Sequence, residues 1–245
     1  MRLLEPSFGD GDFLLPAIDR LLEAYAGEGG CAASARSDLA GAIRAVELHR
    51  SSFERTARRV EERLSQAGLS KPDALALAAE WLICDDFLLC PLPHDFDAVI
   101  GNPPYVRQER ILEALLDEYR RRYRTLYDRA DLYVPFYERG LELLASQGRL
   151  GFICANRWVK NKYGGPLRAK IAGDYQLLHY IDMEGVDAFH AEVIAYPSIT
   201  IVRRPTAGET TPPTRVSTRT IRRCDELPAL VHALMAPIPD ALLVN

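Results

Sequence analysis

The residues best suited to chemistry lie in the run Phe96-Asp97-Ala98-Val99-Ile100-Gly101-Asn102-Pro103-Pro104-Tyr105. An apolar stretch that predicts a buried strand stops at Gly101. Pro103 and Pro104 then fix the backbone, so that the Asn102 amide and the Tyr105 ring are held at the C-terminal edge of that strand. Open α/β sheets bind their ligands at this edge. The arrangement suits methyl transfer to an exocyclic amino group, whose lone pair is delocalised into a heteroaromatic ring. The Asn102 side-chain oxygen and the Pro103 carbonyl can each accept one N–H of the amine, while Tyr105 stacks on the base. Taken alone, the tetrapeptide also reads as a proline-rich turn with a capping Asn.

A second constellation opens the chain. Leu3-Leu4-Glu5-Pro6-Ser7-Phe8-Gly9-Asp10-Gly11 places a carboxylate, Glu5, at a strand end. Gly9 and Gly11 then form a turn that lets backbone and ligand approach closely. A dinucleotide fingerprint would carry a third small residue where Leu14 stands, and its ribose acid would follow about 20 residues on. Here the acid ending the second strand is Glu47, displaced by an inserted stretch over 26–41. Both departures weaken a nicotinamide reading and fit S-adenosylmethionine, which has no pyrophosphate to cradle. Glu47 would take the ribose hydroxyls and Glu5 would sit near the cationic sulfonium centre; on its own, without the agreement of motif and strand order, Glu47 reads as a solvated strand-end acid. After the third strand, Asp86 can accept from an adenine amino group and Phe87 can cover the adenine face, although an isolated Phe in such a place is more often core.

The elements that must position these residues alternate. Short apolar strands are expected near 2–5, 42–48, 81–84, 96–101, 148–154, 176–183 and 196–203. Helices are expected near 12–25, 50–66, 71–80, 108–124, 131–146 and 162–173. That is the pattern of an α/β, doubly wound sheet. The Gly/Ala/Ser-rich 26–41 stretch reads as a surface loop and Pro205 to Pro213 as a linker, which divides the chain into a catalytic domain, 1–204, and a short C-terminal segment, 205–245. No internal repeat is visible.

Composition permits one sizeable core: the chain has 245 residues, 48% hydrophobic and 26% charged. A net charge of −4 gives no global basic footprint, so nucleic-acid contact must come from local patches. The five cysteines lack metal-ligand spacing and read as reduced core residues; no metal is expected. With no secretory h-region and no long apolar run, a soluble cytoplasmic protein is expected, without a membrane partner.

In order, Glu-Pro-Ser-x-Gly-x-Gly-x-Phe, a strand-end Glu, Asp-Phe-Leu and Asp-x-x-x-Gly-Asn-Pro-Pro-Tyr-Val resemble the gamma-class DNA adenine-N6 methyltransferases. The likeness is strongest to the methylase region of Eco57I-like restriction-modification enzymes and covers roughly residues 2 to 203. It takes in Ala130-Asp131-Leu132-Tyr133 at a helix start and Gly148 to Cys154 as the fifth strand. The resemblance implies a Rossmann-like methyltransferase fold with a mostly parallel seven-stranded sheet and helices on both faces. It further implies S-adenosylmethionine as cofactor, a flipped-out adenine in DNA as substrate, and a restriction-modification or phage-defence setting, with a specificity or restriction subunit as possible partner. Carried over, Asn102 and the Pro103 carbonyl bind the target amine and Tyr105 stacks on the base. Glu5, Gly9, Gly11, Glu47, Asp86 and Phe87 line the cofactor site. Phe189 matches a second base-contacting aromatic, with Tyr196 as the competing choice and a core role as the alternative.

Base extrusion explains the need for aromatics: unstacking costs a few kcal/mol and must be offset inside the pocket. Cytosine C5 chemistry would need a nucleophilic Cys after a Pro, and Cys90-Pro91 is the reverse order. Phosphate contact is expected from Arg157, Lys160, Lys162 and Arg168, around the loop after the fifth strand. The cluster Arg120, Arg121, Arg122, Arg124 and Arg129 is as readily a solvated helix face, because Asp117, Glu118 and Asp128 dilute it. The chain starts at its first strand and offers no room for a complete target-recognition domain after the catalytic one, so a fragment, a degenerate product or one subunit of a split enzyme is expected. Alone, it should bind cofactor weakly and DNA without sequence preference. Two other functions fit the same tetrapeptide: methylation of a protein glutamine or an RNA base, or a catalytically silent accessory or DNA-binding module.

Overall fold

A computed structural model describes residues 1–183, 197–209, 224–226 and 228–229. In chain order the elements are β1 (Leu3–Glu5), α1 (Leu14–Gly27), α2 (Ala35–Leu39), β2 (Ile43–Glu47), α3 (Arg50–Gln66), α4 (Lys71–Trp81), β3 (Leu82–Cys84) and β4 (Phe96–Gly101). Then follow α5 (Glu113–Arg122), α6 (Tyr133–Glu142), β5 (Leu144–Ala155), α7 (Arg157–Lys160), α8 (Gly165–Asp174), β6 (Gln176–Asp182) and β7 (Pro197–Arg203). Local sequence accounts for the boundaries. In α3 the buried residues Thr56, Val60 and Leu64 recur every four positions, one stripe of a 3.6-residue period. Ser70 caps α4, its hydroxyl accepting from the Asp73 N–H at 3.3 Å, with Pro72 in the first turn where no N–H is needed.

The seven strands form one sheet in the order β3-β2-β1-β4-β5-β7-β6. All neighbouring pairs are parallel except those of β7, which runs antiparallel to both β5 and β6. The order reverses between β1 and β4, so the ends of these two strands border the crevice where such sheets take ligands. Alternation along β1 sends Leu3 to one face and Leu4 to the other. Leu3, Ile43 and Leu82 pack with α1, α3 and α4 in one core. Leu4, Val99, Leu150 and Phe152 pack with α5, α6 and α8 in the other. The expected α/β sheet with helices on both faces is the fold observed.

Four details differ from the sequence reading. The 26–41 stretch contains the short helix α2, whose Ala35 and Leu39 are buried and whose Leu39 carbonyl accepts from the Trp81 indole at 2.9 Å. It is therefore a packed insertion. The expected helix over 108–124 is a 3-10 turn, Gln108–Arg110, followed by α5. Strand β5 begins at Leu144, within the stretch expected to end the 131–146 helix, and not at 148; Gln147 adopts φ 66° and the register to β4 shifts there, so the strand passes through a bulge. Finally, Cys31 and Cys84 are exposed, while Cys90 and Cys154 are buried, so the cysteines are not uniformly core.

Candidate active site

At the end of β1 Glu5 is 1% exposed, and its Oε2 is buried with no hydrogen-bond partner among the described residues. Burial, reinforced by Asp12 and Glu47 nearby, pushes its carboxyl up to about 8. The turn that follows is built on left-handed backbone, Gly9 at φ 50° and Gly11 at φ 85°. A Cβ on Gly11 would lie 3.0 Å from the Thr56 methyl, whereas one on Gly9 would meet nothing within 4 Å. The Gly9 side of the turn thus has room for a ligand. Thr56 Oγ1 donates to the Gly9 carbonyl at 2.7 Å and fixes the turn from α3.

Glu47, at the end of β2, is buried and already engaged. Its Oε2 accepts from the Gly9 N–H at 2.9 Å and its Oε1 from the His49 N–H at 2.8 Å. A carboxylate offers about four acceptor directions, so one per oxygen remains for a ligand hydroxyl. Leu48 follows it and is 60% exposed. A large apolar side chain left in water directly after the candidate ribose acid is suited to cover a purine face, and the sequence reading missed it. Its only signal was an apolar residue one step beyond the strand-end acid, where alternation predicts solvent.

At the end of β3, Asp86 Oδ1 accepts from the Leu88 N–H at 2.8 Å and Oδ2 accepts from the Tyr119 hydroxyl. Phe87 is 3% exposed. Its ring lies 4.8 Å from that of Phe136, with the Arg139 guanidinium 5.0 Å from its centroid. The ring is therefore a core contact; from this position its backbone is what remains to meet an adenine edge.

Asn102 and Tyr105 stand at the end of β4, beside Glu5. The Ser7 hydroxyl donates to the Asn102 carbonyl at 3.4 Å, and a Cβ on Gly101 (φ 155°) would come within 3.6 Å of Pro6 and 3.7 Å of Glu5. Asn102 Oδ1 is buried with no hydrogen-bond partner among the described residues. Pro103 is buried and Pro104 half-buried, and the Pro104 carbonyl accepts from the Val106 N–H at 3.1 Å, closing the loop. Tyr105 is 39% exposed, its ring meeting that of Tyr133 edge-on at 6.1 Å. Tyr133 in turn shares a 3.1 Å hydrogen bond with Tyr163, on the loop after α7.

The candidate phosphate contacts separate. Lys162 is exposed; Lys160 is exposed and lies 3.7 Å from Asp182; Arg157 is half-buried, close enough to Asp131 to oppose the rise that burial gives that carboxyl. Arg168 directs Nη1 to the Trp158 carbonyl at 2.6 Å and the Asn161 carbonyl at 2.9 Å, which makes it an internal brace of the loop. In the other cluster, Arg121 and Arg122 both pair with Glu118, the solvated helix face of the alternative reading. Phe189 and Tyr196 lie outside the described residues. Among the described residues no group of three or more His, Cys, Asp and Glu could hold a metal ion, and no helix is long and apolar enough to cross a membrane.

Solved structures share the fold. A Listeria monocytogenes protein assigned to the class I S-adenosylmethionine-dependent methyltransferases superposes with a TM-score of 0.61 at 16% identity, over 95% of this chain and 62% of that one. The M protein of the Type I restriction enzyme EcoKI gives 0.59 at 12% identity, over 83% of this chain and 39% of that one. Curated relatives include the Type II methyltransferases M.XhoI of Xanthomonas vasicola, 48% identical over 98% of this chain and 43% of that protein, and M.PaeR7I of Pseudomonas aeruginosa, 56% identical over 85% and 36%. The chain spans about two fifths of the length of these relatives. S-adenosylmethionine is the methyl donor that the fold and family imply, and the residues present fit it: an unpaired Glu5 oxygen for a cationic ligand, open space at Gly9, and spare acceptor capacity on Glu47. The Eco57I restriction-modification methylase profile matches residues 43–189, more than half of the sequence and the whole Asn102–Tyr105 motif, and the chain belongs to that family.

Proposed function

We propose that this chain transfers a methyl group to the N6 amino group of an adenine extruded from DNA, with residues 1–204 as its catalytic domain. The observation that carries the reading is Asn102 Oδ1: a buried acceptor with no partner among the described residues, at the sheet's switch point and beside Glu5. Leaving such an atom unsatisfied costs about 1–3 kcal/mol, so a buried acceptor of this kind calls for an explanation. An amine N–H supplied by a substrate would complete it. Asn102 and the Pro103 carbonyl then each accept one amine hydrogen, which draws electron density back onto the nitrogen and aims its lone pair. Tyr105, partly exposed and supported edge-on by Tyr133, stacks on the extruded base.

On the cofactor side, Glu5 balances positive charge, Glu47 holds ribose hydroxyls, Leu48 covers the purine and Asp86 accepts its amino group. When bound, the sulfonium supplies an already activated methyl, so no covalent enzyme intermediate is needed. The buried thiols agree with this reading, since burial pushes Cys154 up to about 12 and also raises Cys90, which leaves neither as a ready nucleophile. Lys162 and the neighbouring loop offer phosphate contacts. The type II relatives, and a neighbouring structure of a Type ISP restriction-modification enzyme bound to DNA, support DNA as the acceptor. Tritiated S-adenosylmethionine offered with DNA, RNA and protein in parallel tests this. Label in the DNA is expected; label confined to RNA or protein overturns the proposal.

A further inference from the structure

We infer that Tyr119 is a positioning residue for cofactor recognition: its hydroxyl orients the Asp86 carboxylate so that the free acceptor direction meets the adenine amino group. The inference rests on the reading of Asp86 as the adenine contact.

The loop after β3 is short and lies at the sheet's C-terminal edge, where the Asp85 N–H donates to the Glu47 carbonyl at 3.2 Å and ties it to the candidate ribose acid. The backbone from Asp86 to Cys90 forms one turn, the Leu89 and Cys90 N–H groups donating to the Asp86 carbonyl at 3.0 and 2.8 Å. Asp86 Oδ1 caps that turn through the Leu88 N–H, a bond set locally. Oδ2 has no local partner of this kind. It accepts from Tyr119, thirty-three residues later, whose side chain is 3% exposed. Rotation about the terminal torsion of an Asp is broad, so one bond leaves the carboxylate plane poorly fixed and a second defines it. Burying a tyrosine hydroxyl is favourable only with a partner, and among the described contacts its partner is this carboxylate oxygen.

Other long-range bonds hold the loop's main chain without touching Asp86. Tyr123 donates to the Leu88 carbonyl at 2.6 Å, and Arg139 donates to the Phe87 and Cys90 carbonyls. Helix α5, which carries Tyr119 and is followed directly by Tyr123 as its C-cap, begins eight residues after Tyr105. The adenine-side acceptor is thus aimed from the helix that follows the Asn102–Tyr105 loop. Removing the Tyr119 hydroxyl releases one carboxylate oxygen while Tyr123 and Arg139 keep the loop in place.

The test is calorimetric binding of S-adenosylhomocysteine and of its purine-riboside analogue lacking the 6-amino group, to the wild type, Tyr119→Phe, Tyr123→Phe and Asp86→Ala. The ratio of the two affinities measures recognition of the amino group. Tyr119→Phe should lower that ratio roughly three- to tenfold, the range of one hydrogen bond, while affinity for the amino-less analogue stays within about twofold. Tyr123→Phe should shift both ligands equally. Asp86→Glu, which moves the carboxylate relative to Tyr119 without altering α5, is the second variant and should lower the ratio as well. A wild-type ratio in Tyr119→Phe, alongside a reduced ratio in Asp86→Ala, overturns the positioning role alone. A wild-type ratio in Asp86→Ala overturns the assignment of Asp86, and the positioning role with it.

Discussion

Two pairs of polar side chains line the sheet edge and differ in how they are satisfied. Glu47, at the end of β2, and Asp86, just after β3, each have both carboxylate oxygens held by the protein and keep spare acceptor capacity: two backbone N–H groups hold the first, one N–H and a tyrosine hydroxyl the second. Glu5, ending β1, and Asn102, directly after β4, each present at the switch point a buried oxygen with no partner among the described residues. The outer pair is pre-organised, its geometry fixed before any ligand arrives. The inner pair carries unmade bonds, an energetic cost that a cation and an amine would remove. The difference is what the proposed function requires, with the outer pair holding the cofactor's nucleoside and the inner pair at the reacting end.

The largest expected effect is at Asn102. Asn102→Ala should reduce methyl transfer by at least about a hundredfold, the scale of losing one directed hydrogen-bonding group at a reaction centre. Cofactor affinity should stay within about twofold. Label transfer and calorimetry on one preparation check both; wild-type turnover in the variant would remove Asn102 from the mechanism.

The next effect is pH dependence. With its carboxyl raised from 4.5 to about 8, Glu5 is mostly neutral at pH 7, and a cationic ligand favours its ionised form. Affinity for S-adenosylmethionine should therefore rise, by up to about tenfold per pH unit, as pH increases toward 8, and level off above it. Calorimetry from pH 6 to 9 should show proton release in this window, and Glu5→Gln should abolish both the release and the slope. Without ligand, the linkage has the opposite consequence. A raised carboxyl contributes stability that is complete below its unfolded value and lost as pH climbs through about 8, so melting temperature should fall across that interval in the wild type and less in Glu5→Gln.

Tyr105→Ala should weaken binding of a single-stranded or mismatched target by about 1–3 kcal/mol, the value of one base–aromatic stack, with Tyr105→Phe nearly silent. Equal effects of Ala and Phe would instead point to a packing role. The smallest and most diagnostic effects concern stability. Glu47→Ala leaves the Gly9 and His49 N–H groups without their acceptor and should cost about 1–3 kcal/mol, while Asn102→Ala removes an unsatisfied atom and should leave the melting temperature unchanged or raised. Thermal melts in which Asn102→Ala falls as far as Glu47→Ala would erase the distinction between the pairs.

Much of this was legible in the sequence because backbone constraints are local. Two prolines after an apolar run announce the β4 edge, and Gly9 and Gly11 announce a left-handed turn. The strand periodicity placed all seven strands within a few residues. What escaped depends on long-range contacts. Phe87 looked like a purine cover until Phe136 and Arg139 were brought onto its ring, and Leu48 looked ordinary until the fold left it in water. Arg168 looked like a phosphate ligand because charge is visible in a sequence and the Trp158 and Asn161 carbonyls that fold back onto it are not. The early start of β5 and its bulge at Gln147 were hidden because the helical pattern over 131–146 runs on into them.

The central claim, that the switch-point pair serves amino-group methylation of adenine, is tested most directly by nucleoside mass spectrometry of DNA treated with this protein and S-adenosylmethionine. N6-methyladenine should appear with the wild type and be absent with Asn102→Ala. A product consisting of 5-methylcytosine, or N6-methyladenine formed equally by both proteins, would contradict the account.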